Sequence, residues 1–353
     1  MLTKDLEYDL PPERIAQFPA GRRDESRLLV HVRATGKTSH HTFRELPDLL
    51  PAEINIFRND VSVLKARLLG QRASGGAVEC LLLRPNHALS NTWSCLLKPG
   101  AKTEKAGAFS LPGEYEAVVL EKDDSGEYIV RFELSKDNCV NALADRLGTI
   151  PLPPYVRRLS ETSDDDRYQT IYSDPRKRTA VASPTAGLHF TPELVDELRT
   201  RGHAIHDLTL SVGLGTFRPI ETERIEDHVM HAEPYSLPPT TKIALREPSI
   251  PRLSIGTTTA RAIEHHLAQD EDSTPNKTAT GDADLFIYPP HHFQGVDLLL
   301  TNFHLPGSTL LCMVAAFLSP GKTDGLVRLK ELYSQAISLD YRFYSYGDAM
   351  LIL

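Results

Sequence analysis

Cysteine is scarce. The 353 residues contain four, Cys80, Cys95, Cys139 and Cys312, and no two stand in Cys-x-x-Cys spacing. This argues against a structural zinc site, a disulfide framework and an iron–sulfur cluster, and the thiols read as free or buried side chains of a reducing cytosol. Long apolar runs are missing too, since no stretch approaches the ~18 consecutive apolar residues that cross a bilayer. Met1-Leu2-Thr3-Lys4-Asp5-Leu6-Glu7 carries charges where a signal peptide needs an apolar stretch, so a cytoplasmic protein without a membrane partner is expected. A basic surplus is also absent: 39 Lys and Arg face 47 Asp and Glu, a formal charge of −8. Bulk charge therefore does not coat nucleic acid, although a local basic groove is compatible with any net charge. The 21 Gly and 25 Pro follow no collagen-like period, and no solenoid or propeller repeat is visible. With 41% hydrophobic and 24% charged residues, the chain is globular and long enough for two domains.

Its character changes twice. Between Ala66 and about residue 150, short strand-like runs (Val78–Leu83, Trp93–Leu97, Tyr115–Leu120, Tyr128–Phe132) alternate with turn signals such as Gly75-Gly76, Pro112-Gly113 and Asp123-Asp124-Ser125-Gly126. That spacing predicts a small barrel or sandwich, closed by Pro151-Leu152-Pro153-Pro154. The remainder alternates strand and helix. Thr179–Ser183 reads as a buried strand, and Thr191-Pro192-Glu193 as cap, first helical position and first-turn acid. Arg252–Ile255 leads through Gly256-Thr257-Thr258-Thr259 into a helix over Ala260–Gln269. Val296–Leu300 leads into a helix over Ser308–Leu318. Gln269–Asp284 reads as a flexible surface loop. The expected architecture is α/β with largely parallel strands: residues 1–65 and 151–353 form the larger domain, and 66–150 an inserted β-barrel.

Polar residues collect where such strands end, which is where open α/β sheets bind ligands. The turns are Pro184-Thr185-Ala186-Gly187-Leu188-His189-Phe190, Gly213-Leu214-Gly215-Thr216-Phe217-Arg218, Gly256-Thr257-Thr258 and Thr301-Asn302-Phe303-His304. Any one of them is explained by ordinary caps and turns; their recurrence at corresponding ends predicts one pocket. Gly213-Leu214-Gly215 lacks the third glycine of a dinucleotide fingerprint, and no phosphate-loop signature occurs. The densest titratable segment is Glu226-Asp227-His228-Val229-Met230-His231-Ala232-Glu233. A helix would place His228 and His231 on one face, and an extended chain His231 and Glu233. Too few ligands are present for a metal, and an acid/base cluster is the sharper reading. Arg67, Arg72, Arg157-Arg158 and Arg176-Lys177-Arg178 together suggest a phosphate-binding rim at the domain boundary.

These motifs, with Tyr8-Asp9-Leu10-Pro11, Ser26-Arg27-Leu28-Leu29, Pro151–Tyr155, Tyr168–Ser173, Phe286-Ile287-Tyr288-Pro289 and Tyr341–Met350, resemble the S-adenosylmethionine:tRNA ribosyltransferase-isomerase family of queuosine biosynthesis over nearly the whole chain. The resemblance implies a large barrel-like α/β domain with an inserted small β-barrel. It implies ribosyl transfer from S-adenosylmethionine, a consumed co-substrate rather than a cofactor, to 7-aminomethyl-7-deazaguanine at the wobble position of tRNA with a GUN anticodon. Epoxyqueuosine-tRNA, adenine and methionine would be the products, with the enzyme working as a monomer and without a metal. Catalysis is assigned to His231 and Glu233, assisted by His228. Donor binding falls to Thr185, Gly187, His189, Gly213, Gly215, Thr216, Phe217, Gly256, Thr257, Thr258, Asn302 and His304, and tRNA contacts to Arg67, Arg157, Arg158, Lys177 and Arg261. Several positions depart from the family pattern. Val61 and Ser62 stand where Thr and Arg are usual, Ser211 replaces a His, Leu214 an Ala and Pro290 a Gly, and the 243–252 segment is shortened.

Overall fold

The computed structural model describes residues 1–86, 89–213, 219–269 and 276–353. A nine-stranded sheet organises the larger part. Its order is Ala279–Ala283, Glu233–Leu237, Ala204–Leu210, Asn55–Asn59, Arg252–Ile255, Leu298–Asn302, Ala349–Ile352, Arg27–Val32 and Lys37–Thr42. The strands from Ala204–Leu210 to Leu298–Asn302 run parallel. Every residue of Asn55–Asn59 and Leu298–Asn302 is buried, as expected of strands covered on both faces.

The flanks differ from expectation. Arg27–Val32 pairs parallel to Ala349–Ile352, but the remaining neighbours are antiparallel, so the sheet is mixed rather than largely parallel. Part of the segment expected to be loop, Ala279–Ala283, is a strand paired to Glu233–Leu237. Thr179–Ser183 contributes only the end of a short strand, Arg178–Ala180, paired to Ser62–Val63.

Arg67–Leu134 contributes a closed barrel, ordered Tyr128–Leu134, Thr92–Lys98, Ala77–Pro85, Arg67–Gln71, Ala108–Leu111 and Tyr115–Lys122. Its alternating inward residues, among them Leu68, Cys80, Leu82, Trp93, Phe109 and Phe132, form an apolar core of their own, and closure removes exposed sheet edges.

Helices cover the large sheet where their caps predict. Thr191 Oγ1 accepts from Leu194 N at 3.2 Å, opening Pro192–Thr200. Ser308 Oγ accepts from Leu311 N at 3.2 Å, opening the nearly all-buried helix Thr309–Leu318, whose sequence is apolar all round because it lies within the core. Among the described residues, no helix is long and apolar enough to cross a membrane.

Candidate active site

The parallel strands end at a shared cleft of about 620 Å³, whose walls include Thr185, Gly256, Thr257, Thr258, Asn302 and His304. Gly256 leaves its strand at φ +89°, a left-handed conformation that suits glycine, and the chain passes at once into the helix Thr257–Ala268. The helix starts three residues earlier than the sequence suggested. It carries no side-chain cap, so its first-turn N–H groups lie at the cleft wall without an intrahelical acceptor. Gly187 serves packing: a Cβ there would stand 2.0 Å from the Tyr172 hydroxyl.

Hydrogen bonds lock one wall together. Thr185 Oγ1 donates to Asn302 Oδ1 at 2.8 Å, and Asn302 Nδ2 donates to His189 Nε2 at 3.3 Å. An accepting Nε2 requires the His189 proton on Nδ1. The Phe43 ring lies 5.0 Å from the His189 ring. His304 Nε2 is 2.8 Å from Thr301 Oγ1, while the His304 backbone donates to Tyr333 Oη and accepts from Tyr8 Oη. Burial pushes both imidazoles down to about 3, so both are neutral near pH 7.

The titratable segment approaches from another side. Glu233, 4% exposed, accepts from Gly213 N at 2.8 Å and is ion-paired with Arg261, one turn into the Thr257 helix. Glu233 thereby ties the Gly213 turn to the Gly256 helix. His231 is exposed, because the strand begins only at Glu233 and the expected shared face does not reach it. His228 is half-buried, with its ring 5.5 Å from Phe286. Desolvation first, and then the neighbouring His231, lower its pKa against the opposing pull of Glu221. Phe286, Thr257, Thr258, Arg261 and Met230 line a second, smaller cavity, which shares Thr257, Thr258 and Leu310 with the main cleft. Gly215, Thr216 and Phe217, like Leu214, lie outside the described residues.

Sequence reasoning assigned no role to Tyr155, Tyr344 and Ser345, which also line the cleft. Tyr155 Oη meets Ser345 Oγ at 2.5 Å, and the Tyr155 and Tyr344 rings are 4.6 Å apart. Tyr344 holds φ +72°, a strained conformation for an aromatic residue. Both tyrosines belong to motifs that carried the resemblance, which was the available signal. Val61 and Ser62 are buried and do not line the cleft.

Four of the five expected tRNA contacts already face carboxylates. Arg158 forks onto the buried Asp164 at 2.7 and 2.8 Å, Lys177 pairs with Asp60 and Arg67 with Glu79. Arg261 is corrected outright: 5% exposed and paired with Glu233, it offers no surface to a phosphate and belongs to the wall of the second cavity. Arg157 is exposed, and its backbone N–H donates to Gln17 Oε1 at 2.7 Å.

A cleft at the carboxyl ends of parallel strands, in a chain that also carries a closed barrel, defines an α/β enzyme with an added β-barrel. Residues 3–352 match the family model described as queuosine biosynthesis protein, and the chain belongs to that family. It is 44% identical to the S-adenosylmethionine:tRNA ribosyltransferase-isomerase of Citrifermentans bemidjiense and 43% identical to that of Geobacter metallireducens, covering all of each chain. The crystal structure of S-adenosylmethionine tRNA ribosyltransferase from Thermotoga maritima aligns with a TM-score of 0.54 and 33% identity, over 99% of this chain and 100% of that one.

Proposed function

We propose that this protein transfers and isomerises the ribosyl group of S-adenosylmethionine onto 7-aminomethyl-7-deazaguanine at the wobble position of GUN-anticodon tRNA. Adenine and methionine leave, and the enzyme works as a cytoplasmic monomer. The observation that carries this reading is end-to-end similarity to relatives bearing that name. The cleft supplies matching chemistry. A sulfonium makes the adjacent C5′ hydrogens acidic, so a base forms a ylide that helps expel adenine. The departing adenine takes a proton, and a neutral amine then attacks. These are proton transfers near neutrality, the work of imidazole and carboxylate groups.

In this reading His231 and His228 move protons, while Glu233 fixes the segment against Gly213 and Arg261. The Thr185–Asn302–His189 lattice, with Gly187, Gly256, Thr257, Thr258 and His304, shapes the donor site. Because His189 and His304 are held neutral, they add no positive charge beside the donor's sulfonium. Arg157 is the exposed cation offered to a tRNA phosphate, whereas Arg67, Arg158 and Lys177 would have to share their carboxylate partners with it. Incubation with S-adenosylmethionine and precursor-bearing tRNA tests the proposal: adenine and methionine should appear in equal amounts. S-adenosylhomocysteine would instead mark a methyltransferase, and no turnover a tRNA-binding homologue.

A further inference from the structure

The second cavity has a composition of its own. Its walls are apolar and sulfur-rich, with Met230, Met313, Leu285, Phe286 and Ile287, and among the described lining residues Arg261 alone is charged. About 270 Å³ of space, open in part to solvent, lies between these walls, and Thr257, Thr258 and Leu310 line both it and the main cleft. Side-chain exposures of Arg261 and Glu233 are 6% and 5%. A buried ion pair in such a wall is a weak source of stability, because desolvation offsets most of its attraction, so its placement calls for another explanation. The Arg261 guanidinium is a planar fork of five N–H donors, and its bond to Glu233 is made through Nη2. Glu233, anchored by the Gly213 N–H, sets the orientation of that fork.

The geometry points to the second cavity as the subsite for the methionyl arm of the donor, with Arg261 binding its α-carboxylate. This rests on the reading of the chain as an S-adenosylmethionine enzyme. Thioether and aromatic walls suit a sulfur-bearing aliphatic chain, and a planar cation matches a carboxylate in fork geometry. The shared Thr257 and Thr258 then fall at the sulfonium and ribose, leaving the larger cleft for the nucleoside and the incoming acceptor. Arg261 binds, and Glu233 acts as a positioning residue through it.

Calorimetric titration tests this with three probes: S-adenosylmethionine, its decarboxylated analogue, and 5′-methylthioadenosine, which lacks the amino-acid arm. The wild-type protein should bind S-adenosylmethionine at least about tenfold more tightly than the decarboxylated analogue, within the range of a charge-assisted hydrogen bond. Arg261→Met should erase that preference, and Arg261→Lys should restore part of it. Should Arg261→Met fail to fold, Phe286→Trp, which fills the cavity, should weaken S-adenosylmethionine binding about tenfold or more and leave 5′-methylthioadenosine within about twofold. A preference that survives in Arg261→Met, or equal losses for both nucleosides in Phe286→Trp, overturns the subsite while leaving the donor assignment intact. If wild-type protein binds none of the three probes, the donor assignment falls, and the subsite with it.

Discussion

The two sides of the candidate site are built differently. The Thr185–Asn302–His189 wall is buried and bonded residue to residue, with glycines where a Cβ has no room. The His228–Ala232 segment is partly exposed and becomes a strand only at Glu233. The comparison teaches that, on the proposed function, shape and proton transfer are separable: one side holds a preformed outline, and the other keeps its imidazoles in contact with water.

Substitutions on either side sharpen or break this division. On the mobile-proton side, His231→Ala should slow adenine release about 10²–10⁴-fold, the usual worth of a general acid/base. Its thermal stability should stay within about 0.5 kcal/mol, as for an exposed position; near-normal turnover in a stopped-flow assay would remove His231 from the chemistry. On the locked side, Gly187→Ala should lower stability by about 1–3 kcal/mol, the cost of overpacking, and chemical denaturation measures it. Asn302→Ala should cost about 1–3 kcal/mol by leaving His189 Nε2 and the Thr185 hydroxyl without their partner. Unlike His231→Ala, it should raise KM for S-adenosylmethionine.

Acid should also act through the locked wall. His189 and His304 fall from 6.5 to about 3 on folding, so the fold favours their neutral forms. Above about pH 6.5 this contribution is fully present. As the pH drops from there towards 3, the unfolded chain takes up protons that the folded chain refuses, and stability declines. Denaturation midpoints followed from pH 7 to 4 should show that fall, and it should be shallower in His304→Gln. The smallest effect belongs to the rim: Arg157→Glu should weaken tRNA binding and reduce the salt slope by about one, with donor affinity unchanged.

How far this was legible in the sequence follows from what each element needs. Four barrel strands were read from alternation between turn dipeptides. Arg67–Gln71 and Ala108–Leu111 escape that reading because they are short, the first interrupted by Gly70 and the second burying one residue, Phe109, so no alternation shows. The sheet flanks were invisible for a similar reason: Lys37–Thr42 is polar throughout, and Ala279–Ala283 contains Gly and Asp. Tertiary pairing, not local preference, makes these strands. At the site, turns with Gly, Thr and Asn announced themselves because strand-to-helix junctions require such residues. Tyr155, Tyr344 and Ser345 did not, since they arrive from segments without regular periodicity. Arg261 was sorted with the surface cations because sequence records a charge and not its burial.

The central claim is that the strand-end cleft and its annex together receive one sulfonium nucleoside. A crystal structure of the protein soaked with S-adenosylmethionine tests it most directly. Density for the nucleoside between Thr185, Gly256 and Asn302, with the methionyl arm running past Thr257 and Thr258 to Arg261, is the predicted result. A donor bound against the barrel, or in the polar cleft around Asp60 and His206, would contradict it.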